Sequence, residues 1–357
     1  MLKKGFSVTI LEKRESIDLH SRALGIHPVS LELFKKVGIE EPFVNGGIKI
    51  QKGFAFIDRK KIGAINFSKD CPEPFNFILA LPQNQTEEIL QNWVHSLNPN
   101  ALIRGVKVTG YSETGNGIRV VAEMEGEKKE FQCKYLVGSE GKKSIIRKKA
   151  GIKFIGNKYP DTYIMGDFND NTEFGSDAAV YLHRDGLIES FPLPDNNRRW
   201  VIKTDHFIDT PNRTEIEIRI KKRIGHEIRG LENSMLSSFG VQHFMAETFH
   251  KGRVLLAGDS AHVVSPIGGQ GMNLGWINAD RLAVKLEQAF ESPDNAEKLF
   301  SQYTSEGKNF AKKIALQAEQ NMWLGRKRSI PIFRNILART IVQTPLSKIA
   351  ARKFTMR

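Results

Sequence analysis

A buried strand followed directly by Gly-Asp is the part of this sequence with the clearest chemical meaning. Residues 254–257, Val-Leu-Leu-Ala, are typical of a strand covered on both faces, and Gly258 and Asp259 come next. Open α/β sheets bind their ligands at the carboxyl ends of such strands. A carboxylate there needs a partner, because burying it unpaired costs free energy. The pattern therefore predicts that Asp259 binds a ligand rich in hydroxyl groups, such as a sugar.

A glycine-rich loop leads from this strand into a helix. The loop contains Gly268, Gly269, Gln270 and Gly271, and Met272 and Asn273 open the helical segment. Glycines let a ligand approach the backbone closely, and a helix start offers unpaired N–H groups with a partial positive charge. These features suit a flat, electron-accepting ring that becomes negative on reduction. In the alternative interpretation, Asp259 caps a helix and the glycines form an ordinary turn.

Hydrophobic periodicity predicts the elements that would position this loop. The N-terminal half contains a buried strand over 6–12, a helix over 28–37 that ends before Gly38, a helix over 83–97 and a three-stranded meander over 101–137. The C-terminal half contains strand-like segments over 154–207, a charged helix over 213–228 and a long helix from about Asn273 to Phe290.

This order of elements predicts an α/β protein. We expect a three-layer, Rossmann-like nucleotide-binding domain that is interrupted by a β-rich substrate domain and followed by C-terminal helices. The predicted boundaries are 1–153 and 251–300 for the two parts of the nucleotide-binding domain, 154–250 for the β-rich domain and 301–357 for a basic helical region, with 48–80 also on the substrate side.

Composition excludes several other classes of protein. The 357 residues carry a formal net charge of +13, but no nucleic-acid-binding signature accompanies that charge. Cys71 and Cys133 are far apart and form no metal-binding or disulfide pattern, so we expect no metal and a reducing, cytoplasmic setting. The sequence has no apolar stretch long enough to span a bilayer.

Much of the positive charge lies at the C-terminus. Residues 326–357 contain nine Lys or Arg and no Asp or Glu. Apolar residues recur there at roughly helical spacing, with interruptions at Pro331 and Pro345. One interpretation is a helical region whose apolar side packs on the main body. The other is a basic amphipathic surface that makes peripheral contact with an anionic membrane.

The stretch from Gly252 to Leu286, GRVLLAGDSAHVVSPIGGQGMNLGWINADRLAVKL, resembles the second FAD motif of the flavin-dependent aromatic monooxygenases of the para-hydroxybenzoate hydroxylase type. The resemblance implies that Asp259 holds the ribityl or ribose part of FAD and that Pro266 lines the flavin. It also implies that Gly271, Met272 and Asn273 present backbone groups to the isoalloxazine ring. The remaining binding residues of this motif are Gly258, Gly268, Gly269 and Gln270.

Four further segments resemble the family in the family's order. Glu12, at the end of the first strand, corresponds to the acidic residue that binds the adenosine ribose. Arg22, in SRALGIHPVSLELF, corresponds to an arginine near the cofactor phosphates, and Gln83, in ALPQNQTEEIL, is implied to be a flavin neighbour. YLVGSEGKKSIIR resembles the motif shared between FAD and NAD(P)H binding, and its candidate contacts are Glu140, Gly141 and Arg147.

The sequence departs from the family pattern in two places. The family has Asp-Gly where this chain has Glu140-Gly141, and the extra methylene shifts the carboxylate by about a bond length. The family also begins with a strand and a GxGxxG turn that hold the FAD pyrophosphate, and this sequence contains neither. We expect Met1 to be an internal methionine of a longer protein; the alternative is a short form without tight FAD binding.

The resemblance implies an FAD-dependent monooxygenase. In that reaction NADPH or NADH reduces FAD, O2 forms a flavin C4a-hydroperoxide, and one oxygen atom passes to a phenol-like or related hydrophobic substrate. The flavin carries the chemistry, so no side chain is expected to act as a nucleophile. Candidate pocket residues are Tyr181, Phe191 and Trp200. Two alternatives are a same-fold reductase or oxidase acting on a lipid-like substrate, and an inactive fragment.

Overall fold

The computed structural model describes residues 1–18, 23–228 and 232–357. Its helices are α1 (Pro28–Val37), α2 (Glu40–Gly46), α3 (Phe67–Asp70), α4 (Gln83–Leu97), α5 (Ile145–Lys149), α6 (Arg213–Ile224), α7 (Gln270–Glu291), α8 (Ala296–Gly325), α9 (Ile332–Gln343) and α10 (Leu346–Phe354).

The strands are distributed along the whole chain. They are β1 (Ile10–Glu12), β2 (Gly25–Ile26), β3 (Ile48–Ile50), β4 (Lys52–Ile57), β5 (Lys60–Asn66), β6 (Ile78–Ala80), β7 (Leu102–Arg104), β8 (Val106–Thr114), β9 (Gly117–Met124), β10 (Glu127–Cys133), β11 (Leu136–Gly138), β12 (Phe154–Asn169), β13 (Ala178–Leu182), β14 (Ile188–Leu193), β15 (Asn197–Thr204), β16 (Asn233–Ala246), β17 (His250–Lys251), β18 (Val254–Leu256) and β19 (His262–Val263).

Several local predictions are confirmed. Helix α1 begins at Pro28 and ends at Val37, and the φ of 76° at the following Gly38 is the left-handed conformation that glycine adopts readily. Strands β8, β9 and β10 form the predicted antiparallel meander. Helix α7 begins at Gln270, three residues earlier than predicted, because Gly269, with a φ of 67°, already serves as its N-cap.

Two short parallel strands, β11 and β18, bring the turns that follow them close together. Strand β1 pairs with β7, and β11 pairs in parallel with β18. Val254, Leu255 and Leu256 are fully buried, because the β18 side chains pack in a core that also includes side chains of α7 and α8. The carboxyl ends of β11 and β18 therefore lie side by side.

A large mixed sheet has the strand order β19-β16-β12-β15-β14-β13-β4-β5. One face packs against α6 through Ile216 and Ile220. The opposite face carries Tyr163, Met165 and Val201 and packs against Ile267, Met322 and Ala338 of the α7 approach loop, α8 and α9. We call this second face the inner face. Since helices and mixed sheets are combined in this way, the predicted α/β fold class is confirmed.

The C-terminal helices expose much of their apolar surface. Helix α9 buries Arg334, which donates hydrogen bonds to the backbone carbonyls of His183 and Leu182, and it buries Ala338. Phe333, by contrast, is 70% exposed. Packing of the whole apolar side on the main body, one of the two sequence interpretations, is therefore wrong for α9. Among the residues described, no helix combines the length and apolarity needed to cross a membrane.

Candidate functional site

The turn after β18 holds a carboxylate that makes no hydrogen bond to the described residues. Gly258 has a φ of 57°, and a Cβ added there would meet no atom within 4 Å. Asp259 reaches solvent but stands in a recess with protein on most sides. This desolvation raises the pKa of the Asp259 carboxyl above its usual value, while the charge of Lys142 acts in the opposite direction. The turn offers an unpaired acceptor next to open space.

Glu140, at the end of the neighbouring strand β11, is used differently. Its carboxylate accepts hydrogen bonds from Ser144 Oγ at 2.6 Å, from the Ile146 amide at 2.9 Å and from Ser260 Oγ at 3.4 Å. The side chain thus caps the start of α5 and reaches the turn after β18. The longer Glu side chain of this motif satisfies protein donors in this structure.

Arg147 and Gly141 also stabilise the contact between the turn after β11 and the turn after β18. The Arg147 side chain is buried and donates to the carbonyls of Ser260 at 2.9 Å and Lys142 at 2.7 Å. Its guanidinium also lies 3.8 Å from the centroid of the Phe154 ring. Gly141 has a φ of 82°, which the turn after β11 requires. The three predicted residues of this motif therefore lie together, with Glu140 and Arg147 bonded to protein groups.

The glycine loop before α7 is held in place by one buried side chain. Asn273 Oδ1 accepts hydrogen bonds from the His27 amide and Ser30 Oγ at 2.8 and 2.7 Å. Its Nδ2 donates to the carbonyls of Gly25 and Gly269 at 2.8 and 2.9 Å. Asn273 therefore ties the start of α7 to β2 and α1, which fixes the loop relative to a second sheet.

The backbone of this loop is shaped to approach a ligand. Gly268 and Gly269 have φ values of 97° and 67°, and no side chain caps the N-terminus of α7. Pro266 and Gly269 are exposed, and Gly271 and Met272 are half-buried. An added Cβ at Gly275 would lie 3.8 Å from Gly258 Cα, so α7 and the Asp259 turn are also close together.

Three buried polar atoms around the loop lack a hydrogen-bond partner. They are His27 Nδ1, Gln270 Oε1 and Asn321 Nδ2. The Asn321 amide approaches Gly268 closely, at 3.0 Å from the Cβ that a larger residue would place there. Burial lowers the pKa of His27 to about 4, although nearby backbone carbonyls oppose the shift. Unsatisfied buried polar atoms are costly, so their clustering here indicates a place where a ligand completes the bonding.

The other predicted cofactor residues lie on separate elements. Glu12 ends β1 and accepts a hydrogen bond from the Arg14 amide at 2.9 Å. Gln83 begins α4, where its backbone N–H donates to the Ala23 carbonyl at 3.1 Å and its side-chain amide donates to Glu87 Oε1 at 2.9 Å. Arg22 lies outside the described residues.

The three predicted pocket residues do not share one face of the large sheet. Tyr181 and Trp200 pack on the face covered by α6, beside Ile216 and Ile220. Phe191 packs on the inner face, which meets Ile267 of the glycine loop. Successive side chains of a strand point to opposite faces of the sheet. Because both faces are buried here, aromatic residues pack on each of them. Only Phe191 of the three is positioned toward the loop.

Sequence reasoning missed several side chains that the fold brings to this region. His27 lies within the segment GIHP that the resemblance covered, but only Arg22 was selected there. Tyr163 and Glu189 lie on the inner face with Phe191. The sequence feature that could have identified Glu189 is an acidic residue within the otherwise largely apolar strand segment 187–193.

The donor and acceptor set of the site fits FAD. The free Asp259 carboxylate can accept from sugar hydroxyls, and the open backbone at Gly258 leaves room for a chain beside it. The positive φ glycines and the uncapped α7 start can donate backbone N–H groups to a ring that gains negative charge. The unpartnered atoms of His27 and Gln270 offer further polar contacts.

Fold and site together are those of an α/β flavoprotein. The family profile of the FAD binding domain matches residues 1–318, so the chain belongs to the FAD binding domain family. The predicted relationship to flavoprotein hydroxylases of the para-hydroxybenzoate hydroxylase type is thereby confirmed.

Similar proteins include several named as monooxygenases. The chain is 30% identical over 294 residues to the "Uncharacterized aromatic compound monooxygenase YhjG" of Bacillus subtilis (strain 168), covering 80% of this chain and 58% of that protein. It is 26% identical over 317 residues to pentachlorophenol 4-monooxygenase of Sphingobium chlorophenolicum, covering 82% of this chain and 56% of that protein. The chain thus spans just over half the length of these curated relatives.

Solved structures share the fold over nearly the whole chain. A p-nitrophenol 4-monooxygenase from Pseudomonas putida DLL-E4 superposes with a TM-score of 0.88 at 18% identity, covering 99% of this chain and 92% of that one. The OxyS anhydrotetracycline hydroxylase from Streptomyces rimosus superposes with a TM-score of 0.77 at 26% identity, covering 98% of this chain and 71% of that one.

Proposed function

We propose that the protein containing this chain binds FAD and uses NADPH or NADH and O2 to hydroxylate an aromatic substrate. In this reaction a ring carbon exchanges its hydrogen for a hydroxyl group, the second oxygen atom leaves as water, and the nicotinamide is oxidised. Bound FAD would supply the electron transfer and the oxygen activation. The protein side chains would bind, orient and shield the reacting groups from water.

The observation that carries this proposal is the glycine loop with its unsatisfied polar surroundings. The loop has positive φ values at Gly268 and Gly269 and exposes Gly269, while Asn273 holds it against β2 and α1. We assign Asp259 to a ribityl or ribose hydroxyl, and the start of α7 to the flavin ring. Glu12, Arg22 and Gln83 are proposed as further FAD contacts. The proposed domain boundaries remain those predicted from the sequence.

A pair of matched glycine variants tests the role of the loop in FAD binding. Gly269→Ala places a Cβ 3.5 Å from His27 Nε2 at a positive φ, while Gly126→Ala has the same kind of φ, 80°, but meets no atom within 4 Å. We expect Gly269→Ala to weaken FAD binding about tenfold, by roughly 1.4 kcal/mol. Gly126→Ala should bind FAD like the parent protein. Equal FAD affinities in both variants would contradict the assignment.

Isotopically labelled O2 tests the reaction type. The flavin-loaded protein is incubated with NADPH or NADH and a set of phenols, and the products are analysed by mass spectrometry. Incorporation of one labelled oxygen into the ring would support the proposal. Nicotinamide oxidation that yields only hydrogen peroxide, or an oxidised lipid-like substrate without labelled oxygen, would instead favour the same-fold reductase or oxidase.

We further propose that the C-terminal helices contact an anionic membrane surface. Ile330, Ile332, Phe333 and Ile336 are 58 to 77% exposed and lie close together in sequence around α9. The segment 326–357 has no acidic residue, so its charge is complementary to anionic lipid. Apolar area and positive charge on one short amphipathic segment are the combination that interfacial binding requires.

A further inference from the structure

Glu189 occupies an unusual place in the large sheet. It lies in the middle of β14, paired with Val180 on β13 and with Val201 on β15. Directly paired residues of an antiparallel sheet point to the same face. Val180 and Val201 belong to the inner-face cluster that includes Ile267 of the glycine loop. The Glu189 carboxylate therefore stands on the face that meets this loop, between two valines.

No charged group of the described residues pairs with this carboxylate. Glu189 is half-buried, and its carboxylate makes no hydrogen bond or ion pair within the described part of the chain. The cations of the same face are engaged elsewhere: Arg199 binds Asp167 through two contacts of 2.6 and 2.7 Å, and Arg326 binds Asp161 at 2.7 Å. Lys203, paired with Tyr163 in the sheet, places its Nζ 2.8 Å from the Thr204 carbonyl oxygen and 3.6 Å from Asp161. The surrounding protein raises the pKa of Glu189 to about 7 by desolvation.

A second unpartnered group stands near it. The Tyr163 hydroxyl on β12 is buried and has no hydrogen-bond partner. Its ring stacks on Phe239, with centroids 5.2 Å apart, and the negative charge of Glu189 contributes to raising the Tyr163 pKa. An acceptor and a hydroxyl, both without protein partners, thus face the same apolar surroundings. Such groups are retained at low cost only when something else completes their bonds.

We propose that Glu189 and Tyr163 form a binding site for a hydroxyl group carried by an aromatic substrate. The Glu189 carboxylate accepts the hydrogen bond of that hydroxyl, and the Tyr163 hydroxyl bonds to its oxygen. The inference rests on the proposed function, because it takes the inner face to be the substrate side of the flavin. It adds a specificity that the function alone does not give.

The same geometry disfavours aromatic carboxylates. A substrate carboxylate would stand beside the unneutralised Glu189 charge in surroundings of low dielectric, where like charges repel strongly. A neutral hydroxyl group avoids this repulsion and supplies the donor that Glu189 lacks.

Two probes that differ in one group test this site. 2-Naphthol and 2-naphthoate share a ring system but carry a hydroxyl and a carboxylate, respectively. Their dissociation constants are measured by equilibrium dialysis with the flavin-loaded protein and its Glu189→Gln variant. Glu113→Gln, an exposed position in the meander, is the control for the same change in charge. Bound flavin is recorded in each sample, so that loss of FAD, which would count against the proposed function, is seen separately.

We expect Glu189→Gln to bind 2-naphthol about tenfold more weakly than the parent protein, as the loss of a hydrogen bond to a charged group requires. The same variant should bind 2-naphthoate about tenfold more tightly, because the repelling charge is gone. Glu113→Gln should match the parent protein for both probes. Tyr163→Phe, which keeps the ring stacking, should weaken 2-naphthol binding several-fold without improving 2-naphthoate binding.

The dependence on pH separates a binding role from a structural one. Glu189 loses its proton around pH 7, so the affinity for 2-naphthol should rise between about pH 6 and about pH 8. The dependence should vanish in Glu189→Gln. Other titratable or charged groups on or near this face are Asp161, Asp167, Arg199, Lys203, His243, Glu319, Arg326 and Arg334. A dependence carried by any of them would persist in the variant.

Three results would overturn the proposal. One is equal affinity of the parent protein and Glu189→Gln for 2-naphthol. Another is tighter binding of 2-naphthoate than of 2-naphthol by the parent protein. The third is failure of a flavin-loaded parent protein to bind 2-naphthol at all, which removes the ligand class while leaving the FAD site intact.

Discussion

Two carboxylates at the ends of adjacent strands have different roles. Glu140, after β11, accepts three hydrogen bonds from protein groups, whereas Asp259, after β18, accepts none from the described residues. The sequence motifs present both as candidate cofactor contacts. Only the bonding around each side chain separates a residue that holds the fold from one that is available to a ligand.

Matched amide variants should separate these roles. We expect Asp259→Asn to weaken FAD binding about tenfold and to leave the free energy of unfolding within about 0.5 kcal/mol, because no protein bond is lost. Glu140→Gln should lower the free energy of unfolding by about 1–3 kcal/mol, because an amide nitrogen cannot replace an accepting oxygen. FAD fluorescence titration and urea unfolding measure the two effects. A large loss of stability in Asp259→Asn would contradict this division.

Buried histidines make the stability depend on acid pH. Burial lowers the pKa of His262 to about 4, and its Nε2 lies 2.8 Å from Asn278 Nδ2. Because the unfolded chain binds protons more readily, stability is fully present above about pH 6.5 and falls as the pH decreases toward about 4. Burial lowers the pKa of His27 to about 4 as well. Each of these two histidines contributes up to about 3 kcal/mol to the decrease in the free energy of unfolding.

Urea unfolding at several pH values measures this dependence. We expect the His262→Gln variant to show a smaller decrease in unfolding free energy between about pH 6.5 and about pH 4 than the parent protein, because one buried histidine no longer takes up a proton on unfolding. A variant with an unchanged pH dependence would show that His262 already titrates normally in the folded protein.

At the scale of elements, the large sheet shows what periodicity predicts and what it does not. The strand segments of β12 to β15 and the helix α6 were predicted from the sequence. The face that each aromatic residue occupies was not, because both faces of this sheet are buried and the polar alternation that marks a solvent face is missing. Trp200 and Tyr181 therefore looked equivalent to Phe191 until the packing of α6 was known.

Helix α6 covers one face of the large sheet, so we expect the interface between α6 and the sheet to have a purely structural role. Ile220 is fully buried between α6 and the sheet. Ile220→Ala should lower the free energy of unfolding by about 2–5 kcal/mol, because it leaves a cavity. At temperatures where the variant stays folded, its affinity for FAD and 2-naphthol should equal that of the parent protein. A selective loss of 2-naphthol binding would place the substrate on this face instead.

For the whole molecule, local sequence patterns predicted individual strands, loops and helices, but they did not predict the contacts between distant segments. The Gly-Asp strand, the glycine loop and the helices α1 and α4 follow from local patterns and capping residues. The parallel pairing of β4 with β13, and the hydrogen bonds of Asn273 to β2 and α1, join segments that are distant in the chain. No local pattern encodes such pairings, so His27 and Glu189 entered the site only through the fold.

The exposed apolar and basic surface around α9 predicts how the whole protein binds to lipid vesicles. The protein should sediment with phosphatidylglycerol vesicles and not with phosphatidylcholine vesicles, and added salt should weaken the interaction. The double variant Phe333→Ser and Ile336→Ser removes two exposed apolar side chains and should reduce the bound fraction at least several-fold. Equal sedimentation with both kinds of vesicle, or with neither, would contradict a charge-complementary membrane contact.

The flavin content of the purified protein shows whether the Asp259 turn and the glycine loop form an FAD site. The protein that contains this chain is titrated with FAD, and its visible absorption and the quenching of flavin fluorescence are recorded. We expect saturable binding of one FAD per chain, weakened about tenfold in Asp259→Asn and unchanged in Gly126→Ala. A folded protein that retains no FAD and binds none on titration would contradict it.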